Sequence, residues 1–260
     1  MKNNGLVACC VGLCFVAVAT IMLGYGQISA EVSPKGGDGI VVKIDTSKSN
    51  YVLGEPVDLV FEVKNIGPSS VQLGGANVES GYLKIFVAST DGKFRQYSNS
   101  TWGLGKAPKI AFGGGESLTS STSILWNFSP RKRFSNLDKL KDTHLFSDFA
   151  FPDAGRYLVK AVLIVPGEVE SRVESEAIEV NLDVPSGNDL AVWKAMKQNS
   201  EIAFFIQNGS FTTTDKQSRE DLLAQIRQLV QNNPNSHVAR TLQDNLEKYR
   251  LAEEKRANLQ

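Results

Sequence analysis

Val57-Asp58-Leu59-Val60-Phe61-Glu62-Val63-Lys64-Asn65 is the stretch that decides the fold. Val57, Leu59, Phe61 and Val63 are apolar, and Asp58, Glu62 and Lys64 stand between them. In an extended chain successive side chains point to opposite faces, so this segment reads as a strand with one dry and one wet face. On the N-terminal side, Ile40-Val41-Val42-Lys43-Ile44-Asp45-Thr46 repeats the theme with β-branched residues. Between the two, Tyr51-Val52-Leu53-Gly54-Glu55-Pro56 supplies a turn: Gly54 permits it, and Pro56 interrupts ladder pairing before the next strand.

Further strands are expected at Tyr82 to Ala88, Phe94 to Tyr97, Leu118 to Asn127, Gly155 to Val165 and Ala177 to Val184. Their separators are turn formers: Gly67-Pro68, Asp91-Gly92, the run Gly113 to Gly115, and Pro152-Asp153-Ala154-Gly155. Many short strands with this punctuation predict an antiparallel sandwich; a doubly wound sheet would need helices between the strands.

Tyr51-x-x-Gly54-Glu55-Pro56-Val57 leading into the alternating strand, then Gly114-Gly115-Glu116-Ser117, then Phe151-Pro152-Asp153-Ala154-Gly155-Arg156-Tyr157, resembles exported bacterial immunoglobulin-like domains. Similar patterns occur in macroglobulin-type domains and in the intracellular proteinase inhibitors of bacilli. The resemblance covers about Ile40 to Val184 and implies a mainly β fold, an antiparallel immunoglobulin-like β-sandwich followed by a C-terminal α-helical segment. Turn and strand signatures report how a sandwich is built, so no activity is carried over. No reactive loop of a protease inhibitor is matched, and the thioester cysteine of full macroglobulins has no counterpart.

After Pro185 the apolar period lengthens to that of helices. Ser186-Gly187-Asn188 is placed to cap a helix from Asp189 to Lys197, and Ser200 a second one that ends at Asn208-Gly209. Thr214 or Asp215 starts a third with Leu222, Leu223, Ile226, Leu229 and Val230 at helical spacing. Pro234 stops it, and Ser236 opens a fourth. Trp193, Phe204 and Phe205 are the docking residues of this region, for burying each is worth about 1.5–3 kcal/mol. Either the sandwich covers them or a partner protein does.

At the N-terminus, Lys2 is followed by an uncharged apolar run from Leu6 to Leu23, and Ile28-Ser29-Ala30 places a small residue where a signal peptidase would cut. Residues 1–30 are therefore expected to be a signal peptide and residues 31–39 a linker. Residues 40–184 are then the sandwich and residues 185–260 the helical region. The alternative is an uncleaved anchor over residues 6–23. Either way the chain is expected to work outside the cytoplasm, in a periplasmic or extracellular space. All three cysteines, Cys9, Cys10 and Cys14, lie in the leader. The mature chain then needs no disulfide and has no thiolate for a metal or a nucleophile. Lys and Arg, 28 together, balance 28 Asp and Glu, a distribution that points to no nucleic-acid partner.

The chemistry-bearing residues are sparse. His144 stands in a polar stretch without a nucleophile elbow, and His237 reads as a solvated first-turn residue beside the helix cap Ser236. Glu168, Glu170, Glu174, Glu176 and Glu179 read as the wet face of two strands, and no calcium-loop pattern accompanies Asp38, Asp45, Asp91 or Asp153. Arg131, Lys132 and Arg133, with Lys139 and Lys141, form a basic loop diluted by Asp138 and Asp142. No catalytic residue, metal or cofactor is expected. Tyr97, Trp102 and Phe112, in or beside the connection from Ser98 to Gly115, are the candidate ligand-binding residues. Exposed rings there would suit a sugar; rings folded back over the core would close the loop. The leading expectation is an exported, non-catalytic module that binds another envelope or extracellular protein. The alternatives are a carbohydrate-binding sandwich and an uncharacterised hydrolase.

Overall fold

In the computed structural model, which describes residues 39–90, 92–97, 109–127, 148–167 and 170–258, the decisive segment is the middle strand of a sheet. The strands, in chain order, are β1 (Ile40–Thr46), β2 (Asn50–Val52), β3 (Val57–Asn65), β4 (Val71–Leu73), β5 (Leu83–Ala88) and β6 (Arg95–Tyr97). They continue with β7 (Ile110–Phe112), β8 (Ser117–Ile124), β9 (Gly155–Val165), β10 (Ser171–Glu174) and β11 (Ile178–Asp183). Helices α1 (Gly187–Gln198), α2 (Ser200–Asn208), α3 (Lys216–Asn232) and α4 (His237–Ala257) follow. The leader and almost all of the linker lie outside the described residues, as do Trp102, His144, Glu168 and the basic loop.

One sheet has the order β1-β3-β8 and is antiparallel throughout. The larger sheet runs β2-β11-β9-β5-β6, with β10 also on β9. All its pairs are antiparallel except β2 with β11, where Tyr51 stands beside Leu182 in parallel register. That one pair makes the sheet mixed. Strand accounts for 35% of the described residues and helix for 32%, so the fold is mixed α/β and the mainly β expectation is corrected. The helical region is too large, and too deeply involved in the core, to count as an appendage.

The alternation read from the sequence sets the core. Val57, Leu59, Phe61 and Val63 are wholly buried, while Asp58 and Lys64 are exposed. Ile85 on β5, Val159, Ala161 and Leu163 on β9, and Val180 on β11 are equally buried, and all join the same apolar cluster. Asn65, fully buried, ends β3 with its polar groups occupied. Its side-chain amide donates to the carbonyls of Ser69 (2.8 Å) and Phe112 (3.0 Å), and its side-chain oxygen accepts from the Gly67 N–H. A buried amide saturated in this way fixes where the strand stops and where β7 lies.

The first helix meets this body at the turn before β3. Gly54 has φ +98°, and a Cβ there would lie 2.8 Å from Met196 Cε and 2.9 Å from the Trp193 ring. Both the backbone conformation and the approach of α1 therefore require glycine. Gly54→Ala is expected to cost about 2 kcal/mol or more through strain and overpacking. Gly115→Ala, at φ +82° with no atom within 4 Å, should lose only the backbone share. Urea unfolding of the two variants beside the wild type measures the difference.

Candidate functional site

The candidate site is the end of the sheets where β6 stops at Tyr97 and where the chain, having left β8 at Ile124, continues through Leu125 and Trp126 to Asn127. Tyr97 is buried, and its hydroxyl donates to the Trp126 carbonyl at 2.9 Å. Burial pushes the phenol above its ordinary range, outweighing hydrogen bonds that favour ionisation, so it stays a donor. The side-chain oxygen of Gln207, on α2, accepts from the backbone N–H groups of Leu125 and Trp126, each at 2.6 Å. Phe149 joins the layers, with its ring 5.0 Å from Trp126 at 82° and 4.5 Å from Trp193 at 59°. Backbone bonds between Asn127 and Asp148 and between Ala150 and Leu125 close the same region.

Tyr97 precedes residues 98–108, and Asn127 and Asp148 flank residues 128–147; both segments lie outside the described residues. Beside this end of the sheets is a hollow of about 370 Å³ whose lining includes Lys93, Arg95, Asp148, Phe149 and Tyr157. The Tyr157 hydroxyl donates to the Asp153 carbonyl at 2.9 Å, and burial raises its pKa. The hollow thus offers two cations, one carboxylate and an aromatic wall, a surface suited to polar contacts around an apolar centre.

Tyr97 and Phe112 are 2% and 1% exposed. They fold back on the core and are not displayed to a ligand; Trp102 lies outside the described residues. Trp193 packs on Phe149, so the sheets cover it. Phe205 stacks on Phe211 (4.6 Å, 17°) and meets Tyr249 edge-on. Phe204 is also buried. Glu174 and Glu179 are exposed and reach Lys160 (2.5 Å) and Arg156 (3.5 Å) across neighbouring strands. Such solvated pairs contribute little.

One arrangement that the sequence separates is Asp189 with Ser236 and His237. The Ser236 hydroxyl donates to Asp189 at 2.6 Å and accepts from the Ala239 N–H at 3.1 Å. The His237 N–H donates to the same carboxylate at 2.8 Å, and its ring nitrogen stands 3.3 Å from the other oxygen. His237 is therefore more than a solvated residue. The serine proton points at the carboxylate and not at an imidazole, and Ser236 is wholly buried. This is the geometry of a tertiary helix cap, unlike a nucleophile with its base. Among the described residues, no group of three or more His, Cys, Asp or Glu is placed to hold a metal, and no helix is long and apolar enough to cross a membrane.

No family model matches the chain, and no curated protein is similar to it. Solved structures share pieces of it. The C-terminal domain of wzt is 12% identical, with 60% of this chain and 81% of that one covered at a TM-score of 0.36. Spo0M, a sporulation control protein from Bacillus subtilis, is 13% identical, with 62% and 55% covered at 0.30. A β-glucosidase from Listeria innocua is 13% identical, with 55% and 16% covered at 0.26. At such scores these likenesses carry no argument about this chain.

Desolvation opposes the Asp189 charge, but donors from Ser236, His237 and the Val238 backbone outweigh it and hold the carboxyl below its usual range. A depressed folded pKa means stabilisation that is present above the unfolded value and lost as pH falls through the folded one. Asp189→Asn should therefore destabilise the chain by about 1–3 kcal/mol at neutral pH. The gap from wild type should close below the ordinary carboxylate range, as thermal melts across the acid limb will record.

Proposed function

We propose that the chain is an exported, non-catalytic binding module in which an immunoglobulin-like sandwich presents the end built around Tyr97, Trp126 and Phe149 to another envelope or extracellular protein. The observation that supports this reading is the fastening of that end from below. Gln207 holds Leu125 and Trp126, and Trp193 wedges against Phe149. Binding segments gain from a rigid base, because ordering costs then fall before the partner arrives. The resemblance at Gly54-Glu55-Pro56-Val57 and the apolar leader support the sandwich and the export. The carbohydrate reading drew on Tyr97, Trp102 and Phe112. With Tyr97 and Phe112 buried, two of its three rings cannot stack on a sugar.

A photo-crosslinking residue placed at Arg95, which lines the hollow beside Phe149, should trap a discrete envelope protein in intact cells. The same residue at exposed Lys43 on β1 should not. Crosslinking confined to Lys43, or capture of glycan lost in Trp102→Ala, would replace this reading.

A further inference from the structure

A second cavity lies within the helical region. It has a volume of about 550 Å³ and is bounded by the loop after α2, the first turn of α3 and one face of α4. Its apolar side is formed by Phe211 and Tyr249, whose ring centres are 5.5 Å apart at 73°. Phe211 is backed by the Phe205 ring and is thereby held in place. Around these rings stand Arg219, Lys248 and Arg256, against a single carboxylate, Glu253.

The charges are unevenly used. Arg256 reaches Glu253 at 2.5 Å. Among the described residues, neither Arg219 nor Lys248 has a carboxylate within ion-pair distance, and the Arg219 Nε is shielded from solvent without a hydrogen-bond partner. Nor does the C-terminus of α2 need these cations, although a helix end carries partial negative charge. The Phe204 carbonyl accepts from the Asn208 side chain. That of Phe205 accepts from Gly209 N–H and Asn245, and that of Ile206 from Asn245. Asp215, outside the lining, feels the Arg219 charge, yet within the lining three cations face one carboxylate beside an aromatic wall. The terminal nitrogens of a guanidinium match a planar anion by two parallel hydrogen bonds.

We propose that this cavity binds a small organic carboxylate with a flat apolar body, the carboxylate on Arg219 and Lys248 and the body against Phe211 and Tyr249. The assignment does not rest on the protein-binding role of the end around Tyr97 and Trp126, and either can fail without the other. It requires both the negative charge and the flat body, so the two can be removed separately.

Isothermal titration of the full chain with 2-naphthoate tests it, beside the neutral 2-naphthalenemethanol and inorganic phosphate. The expected result is one site per chain for naphthoate, with both other compounds at least fivefold weaker. Arg219→Gln and Lys248→Gln should each weaken naphthoate at least fivefold at an unchanged melting temperature. Lys216→Gln, which removes a solvent-facing α3 lysine outside the cavity, should bind as wild type. Absence of naphthoate binding at millimolar concentration overturns the proposal. So does a loss under fivefold in both cavity variants, or binding of the alcohol or of phosphate within fivefold of naphthoate. If either cavity variant melts earlier, chemical-shift changes of the Phe211 and Tyr249 rings in the wild type decide: movement supports the site and its absence overturns it.

Discussion

The approach of Trp193 and Met196 to Gly54 is the constraint on which the rest of the architecture depends. It places α1 against the turn that launches β3, so the helix and the most strictly alternating strand share one boundary. A side chain at position 54 would push them apart. The consequences run both ways. The turn keeps its positive φ because α1 closes over it, and α1 finds a dry surface because the turn carries no side chain. Leu53 N–H, bonded to the Asp183 carbonyl at 3.0 Å, ties the same turn to the strand that leads into α1.

This contact explains why the helices belong to the core. α2 spans 9 residues, and an isolated helix shorter than about 12–15 residues is marginal in water. It persists because Ile202, Ala203, Phe205 and Ile206 are buried and because both ends are capped. Asn199 accepts from the Glu201 N–H, and Gly209 adopts φ +62°. Asp189 then ties α1 to the start of α4 through Ser236 and His237. The result is a chain of fastenings: sheet turn to α1, α1 to α4, and α2 back to the Leu125–Trp126 backbone.

Much of this was legible in the residues. The bounds of β1, β3 and β9 follow from alternation and flanking turns, and Asp215 and Ser236 cap their helices as their chemistry suggests. β2, β4, β7 and β10 were not legible: three or four residues are too few to show a period of two, and, unlike the equally short β6, none of them follows an Asp-Gly turn that would mark it. Their pairing comes from neighbours distant in sequence, as where Val71 meets Phe112. The burial of Tyr97 and Phe112 was equally hidden: an aromatic beside a glycine-rich stretch looks the same whether its loop folds inward or outward. The cap of α2 moved from Ser200 to Asn199, since either residue can offer an oxygen. The Asp189–Ser236–His237 contact and the cavity at Arg219 depend on helices that meet only in space, and local patterns carry no trace of them.

A sheet body that needs its helices differs physically from a sandwich with a detachable tail. In the first case, exposing Phe149, Leu53 and the Gly54 turn removes part of one core; in the second, it merely uncovers a docking patch. The direct measurement is the state of residues 40–184 made alone, followed by proton-NMR dispersion and thermal melting. Collapsed dispersion and no cooperative transition are the expected result. A dispersed spectrum with a sharp melt would contradict it and return the helices to the status of a separate element.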